Sequence, residues 1–142
     1  ISGISTAGIP DNIMKTLILD IKFNEDYLER VIHHEVFHII NDQYNEIFKE
    51  SEWMKFNNSE FKYAKCSTCT EKLGLETYKK TKGFFTEYSM STVSEDMAEV
   101  YSHMIFLEKG YINKIRKIDK ILDNKISYIE KIINKIDSSF IF

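Results

Sequence analysis

The sequence predicts an α-rich α+β domain, and three observations lead there. One short run, TLILDIKF at 16–23, mixes β-branched and apolar residues with charges at Asp20 and Lys22, as a strand with one wet face does. Three longer stretches carry apolar residues at helical spacing, at about 25–49, 92–109 and 112–138. The chain of 142 residues, 43% of them hydrophobic, suits one domain with a real core.

Residues 1–15 are small and polar, with Gly3, Gly8 and Pro10, and read as a loop entering the domain. After the strand, Asn24 is placed to cap a helix, and Glu25 and Asp26 suit the positive end of its dipole. That helix repeats Leu28, Val31, Ile32, Val36, Ile39 and Ile40 on its apolar side. Between 50 and 90 the pattern breaks into aromatics and turn residues, with a short helix expected near 70–80. Thr92, three residues before Glu95, has capping-box spacing for the next helix, which Gly110 is expected to close. The last stretch places Ile115, Ile118, Leu122, Ile126, Ile129, Ile133 and Ile136 three or four apart: an amphipathic helix, in one piece or two, that packs on the core.

Composition narrows the function classes. A net charge of −3 offers no basic field for nucleic acid. No apolar run approaches a bilayer span. The opening ISGISTAGIP has neither the charged nor the apolar region of a signal peptide, and Ile1 is not an initiator, so a mature product or a fragment is expected. The only two cysteines, Cys66 and Cys69, form one CxxC, at best half of a structural zinc site. Their flanks look like loop rather than the strand and helix of a redox motif, which leaves a local disulfide or two idle thiols.

The chemistry lies in HHEVFH. His34 and His38, four apart, share one helical face and can aim two imidazoles at one ion, with Glu35 beside them. Zinc accepts imidazole nitrogen and acidifies water, and Glu35 can take up the proton so released. With four histidines in the whole chain, an HExxH arising by chance is rare. His33 points about 100° away from His34 and reads as a packing or supporting residue. A third ligand is sought in SEDMAEVYSHM. Glu95 and Glu99 share a face there, so either can ligate while the other accepts the spare ring N–H of a histidine. Asp96 is rotated away from that face, and His103 would require the ion to sit two turns along. The alternative is a pair of solvated glutamates favoured by a helix start.

Taken together, HHEVFH and the downstream GFFTEYSMSTVSEDMAEVYSHM resemble the gluzincin peptidases of the lethal-factor-like type, over roughly residues 30–107. The resemblance implies a zincin-like fold: a short sheet, an HExxH helix, a glutamate helix and a C-terminal helical segment. It implies one zinc ion per chain held by His34, His38 and Glu95, with Glu35 as general base and Glu99 as the carboxylate behind a histidine. It also implies that Tyr88, seven residues before Glu95, gives its hydroxyl to the oxyanion, where a half-buried aromatic is the plainer reading. The expected partner is a peptide or protein substrate, and a secreted or cell-surface setting follows from the same likeness. Cys66–Cys69 lies outside the general pattern, and less sheet precedes the active-site helix than in many zincins. The rival functions are a catalytically silent zincin-like domain that recognises a protein partner, and a metal hydrolase acting on something other than a peptide.

Overall fold

The computed structural model describes residues 7–22, 24–71, 74–76 and 81–142. The described residues begin with an antiparallel hairpin of β1 (Gly8–Asp11) and β2 (Thr16–Leu19), in which Gly8 faces Leu19 and Ile9 faces Ile18. Among the described residues five helices follow: α1 (Glu25–Gln43), α2 (Glu50–Trp53), α3 (Val93–Phe106), α4 (Lys109–Ile118) and α5 (Lys120–Ile136). Single 3-10 turns lie at Met54–Phe56 and Tyr88–Met90. This is the α-rich α+β arrangement expected.

Strand β1 is a correction, because GIPD had read as loop. Its glycine and proline are turn residues by propensity, and pairing with β2 overrides them. Pro10, which has no N–H to donate, is tolerated on an edge strand. The second strand is shorter than TLILDIKF and stops at Leu19. Residues 1–6 and Phe23 lie outside the described residues, as do 72–73 and 77–80, on which most of the expected helix near 70–80 falls.

Asn24 caps α1 by accepting the Tyr27 N–H at 2.8 Å. The helix ends at Gln43, short of 49. Polar residues there offer the backbone other partners: the Asn45 side chain donates to the Asp42 carbonyl, and Tyr44 closes the last turn on Ile40. Thr92 caps α3 by accepting the Glu95 N–H at 3.2 Å. The helix stops at Phe106 rather than near Gly110, which falls inside α4. The extended residue Leu107 turns the chain so that Ile112 and Ile115 return to the core. The C-terminal stripe does form two pieces, split at Asp119, which caps α5 through the Ile121 and Leu122 N–H groups.

Helix α1 packs chiefly on α3, and α3 on α5. Phe37, Trp53, Phe85, Met97, Val100, Ile126 and Ile129 are fully buried between them. One charged pair shares that interior: Lys125 donates to Asp96 at 2.6 Å, and both side chains are completely buried. Trp53 Nε1 (2.8 Å) and the Tyr63 hydroxyl (2.5 Å) donate to the same Asp96 oxygen. Lys125 also donates to the Gly83 carbonyl at 2.6 Å and sits 3.9 Å from the Phe84 ring centroid. Gly83 has φ +92°, and a Cβ there would lie 2.5 Å from Ile121 Cγ2, so this turn requires glycine. Residues 53–63, α3 and α5 are thus tied together beneath the site. Cys66 and Cys69 form a disulfide, which decides between the two readings of the CxxC.

Candidate metal centre

Arg30, His34 and His38 lie four apart along one stripe of α1, and that stripe faces the stripe of α3 that carries Glu95 and Glu99. Three atoms converge between the helices. His34 Nε2 is 3.1 Å from His38 Nε2 and 3.0 Å from Glu95 Oε2, and His38 Nε2 is 3.3 Å from the same oxygen. Zinc–ligand bonds of about 2.0–2.1 Å in a tetrahedron put neighbouring ligand atoms about 3.3 Å apart. The observed triangle therefore has the size of one tetrahedral face. Two imidazole nitrogens and a carboxylate oxygen at that separation are donors that one bound cation could satisfy together. His34, His38 and Glu95 are a group that could hold a metal ion.

The opposite nitrogen of each imidazole is engaged, which orients the ring. His34 Nδ1 lies 2.8 Å from Glu99 Oε1. His38 Nδ1 lies 3.2 Å from Ser94 Oγ. With each Nδ1–H donated outward, both Nε2 lone pairs face the centre. Glu99, 2% exposed, is itself held on its other oxygen by Arg30 Nη1 (3.0 Å) and by the Thr86 hydroxyl (2.8 Å). Arg30 anchors its second nitrogen on the Leu75 carbonyl at 3.0 Å.

The electrostatics follow from this geometry. Burial alone would lower the His34 pKa, but hydrogen bonds to Glu95 and Glu99 outweigh it and carry the imidazole up to about 10. Burial works against ionising Glu99, yet the His34 hydrogen bond and the nearby charges of His34, His103 and Arg30 hold it at about 2. Glu95 is likewise held below the usual carboxylate range, by His34 and His38 against its burial. Glu35 moves the other way. Burial raises its pKa, against the pull of the two histidines and with help from the Glu95 charge.

A cavity of about 540 Å³ opens over these residues. His34, Glu35, His38, Glu95 and Tyr88 line it from the helices, and Gly8, Ile9 and Pro10 line it from β1. A Cβ on Gly8 would lie 2.8 Å from Glu35 Cγ and 2.9 Å from Val31 Cγ1, so glycine is what lets β1 lie against the Glu35 side chain. The Tyr88 ring lies 6.1 Å from that of His34. Burial first, then the Glu95 charge, raises the phenol pKa and keeps it protonated, with Glu95 and Ser67 within hydrogen-bonding reach.

His34, Glu35, His38, Tyr88, Glu95 and Glu99 thus come together around this centre. Glu95 is the carboxylate in the triangle, and Glu99 is the one behind His34. The capping-box reading survives only for Thr92, because the Glu95 carboxylate is turned to the two imidazoles instead. His33 stays outside the triangle. His103 is also apart: it is buried, stacked on Phe85 at 4.5 Å, and pushed down to about 4 by burial. Asp96 points to Lys125, away from the site. Sequence reasoning missed Arg30, Thr86, Ser94 and Gly8. Arg30 left a readable signal, an arginine four residues before His34 on the histidine face. Ser94 and Thr86 left none, since their partners come from distant segments.

A family model described as "Putative zinc-binding metallo-peptidase" matches residues 7–137, from β1 to the end of α5. No curated protein matches the chain, and no solved structure does.

Proposed function

We propose, from the premise that the chain belongs to this family of zinc-binding metallo-peptidases, that it is a gluzincin-type zinc peptidase with a zincin-like fold spanning the whole chain as one catalytic domain. The observation that carries the reading is the triangle of His34, His38 and Glu95 atoms, 3.0–3.3 Å on a side, with Glu35 at its edge in an open cavity. In this reading those three residues hold zinc, and Glu99 and Ser94 fix the two histidines.

Zinc supplies Lewis acidity when bound, making water more acidic and a peptide carbonyl more electrophilic. The protein's own residues do the rest. An extended peptide lies in the cavity along β1, with its scissile carbonyl over the histidine face. Glu35 takes one proton from the attacking water as the oxygen–carbon bond forms. The Tyr88 hydroxyl donates to the oxyanion that develops on the carbonyl oxygen. As the carbon–nitrogen bond breaks, Glu35 returns the proton to the leaving amine. Its raised pKa serves both halves of that transfer. A silent binding domain has no use for a buried carboxylate in this position.

The Cys66–Cys69 disulfide supports a secreted or cell-surface setting, because such bonds persist in oxidising compartments. Among the described residues no helix is long and apolar enough to cross a membrane.

The deciding experiment compares wild type with Glu35→Gln on a mixed fluorogenic peptide library, with zinc content measured alongside. Wild type should cleave, and Glu35→Gln should keep about one zinc per chain while losing turnover by at least about a hundredfold. Loss of zinc from that variant, or undiminished cleavage by it, would remove Glu35 from the role of base.

A further inference from the structure

A second cavity, of about 400 Å³, adjoins the metal centre, and Ser94 lines both. Thr92 and Val93 continue its wall from the start of α3, so it begins one residue away from Glu95. Across from them stand Met54, Phe61, Tyr63 and Ala64, from a segment that takes no part in the metal centre. Most of this wall is apolar. Lys62 and Lys65, both exposed, and Glu50 supply charge around it.

The wall is firmly held. The Phe61 ring packs on Tyr63 at 4.9 Å and on Phe84 at 4.6 Å. Tyr63 donates to the buried Asp96 and accepts from Asn57 Nδ2 at 2.7 Å. Val93 is buried behind the opening, while Met54 is 48% exposed at it. A volume of this size whose exposed surface is mainly apolar lies within the range of pockets that take small apolar groups. Because Ser94 lines both cavities, a side chain held in this one can belong to a peptide that lies in the first.

From this continuity the geometry points to a specificity pocket: it takes the side chain of one substrate residue flanking the scissile bond and selects a large apolar or aromatic one. Lys62 and Lys65 outnumber Glu50 around the pocket, so the balance of charge there disfavours a basic side chain. The inference rests on the peptidase reading above and names its substrate class.

The test uses the full chain and a hexapeptide series. Phe, Leu, Ala, Asp and Lys are exchanged in turn at the two residues flanking the cleaved bond. At one of those positions Phe and Leu should be cleaved at least tenfold faster than Ala or Lys, within the range of about 10- to 200-fold that an apolar pocket yields. Ala64→Trp, which fills the pocket from its wall, should shift the preference towards Ala at unchanged zinc content. Should that variant fail to fold, Met54→Ala, at the opening, should weaken the selection between Phe and Ala. A flat profile at both positions, or a preference that neither variant alters, overturns the inference.

If no peptide is cleaved, the peptidase reading fails and the pocket is judged by binding. The Phe and Lys peptides are then titrated into ¹⁵N-labelled Glu35→Gln protein. Amide shifts at residues 61–65 and 92–94 with the Phe peptide alone support the pocket, and their absence overturns it.

Discussion

Replacing Glu95 and Glu99 in turn should separate metal binding from folding. Both are glutamates on one face of α3 and both touch His34, so the sequence makes them look interchangeable. Their surroundings differ. Glu99 is buried and receives His34, Arg30 and Thr86. In Glu99→Ala the Arg30 guanidinium, 7% exposed, keeps only the Leu75 carbonyl among these hydrogen bonds. Breaking a buried ion pair on one side costs about 3–5 kcal/mol. At roughly 3–4 °C per kcal/mol for a chain of this size, the metal-free protein should melt about 10–20 °C lower. Zinc affinity should fall by about 10–100-fold, the usual cost of losing the partner behind a ligating histidine. In Glu95→Ala the centre loses one of three converging donors while Arg30 keeps its carboxylate. Zinc should then be lost more completely, with a smaller change in the melting point of the metal-free protein. The assay is calorimetric melting of chelator-treated protein combined with competition titration of zinc. A tighter zinc constant for Glu95→Ala than for Glu99→Ala would move the ligand assignment to Glu99. Equal melting points would show that the Arg30–Glu99 pair does not support the fold.

Four further outcomes follow from the same contacts. His34 has its pKa raised to about 10 in the metal-free protein, so its stabilising effect is complete below about 6.5 and is lost as pH rises through 10. Zinc entering at pH 7.5 should therefore release about one proton, seen as a dependence of titration heat on buffer ionisation enthalpy, and no such dependence would refute the assignment. Gly8→Ala should push on Glu35 and lower turnover while leaving zinc content unchanged; full activity would show that β1 yields freely. Cys66→Ser with Cys69→Ser should leave zinc content and turnover nearly intact, with a modest drop in melting temperature, and a large fall in bound zinc would contradict this. Lys125→Ala, which strands the buried Asp96 carboxylate, should cost about 3–5 kcal/mol in denaturant melts, and Lys125→Met combined with Asp96→Asn should recover much of it.

What the sequence disclosed depended on whether the information was local. Spacing of four along a helix puts His34 with His38 and Glu95 with Glu99, and both pairs needed only the helices to be recognised. Which glutamate faces the ion was not local. It depends on how α1 and α3 are set against each other; the resemblance supplied Glu95, whose Oε2 lies 3.0 Å from His34 Nε2 and 3.3 Å from His38 Nε2. The same limit hid Ser94 behind His38 and Thr86 behind Glu99, because each contact spans a stretch of chain that no periodicity describes. Strand β1 was hidden for another reason. Gly8 and Pro10 carry the composition of a turn, and only the pairing with β2 and the approach to Glu35 make an extended strand the better state for that segment.

Helix α3 explains why a run as polar as SEDMAEV lies buried. Glu95 and Glu99 turn towards α1, while Asp96, about 100° round the helix, turns towards α5 and takes Lys125, Trp53 and Tyr63. Burial pushes Asp96 up and Lys125 down, and their mutual attraction opposes both shifts. Carboxylates engaged on two faces leave the helix little freedom to roll, since a roll that carried Glu95 off the triangle would also pull Asp96 from its three donors. The buried ion pair therefore acts on the metal centre through orientation rather than contact. The aromatic residues that hold Asp96 also build the neighbouring apolar pocket, so one buried network sets the positions of both the metal centre and the pocket beside it.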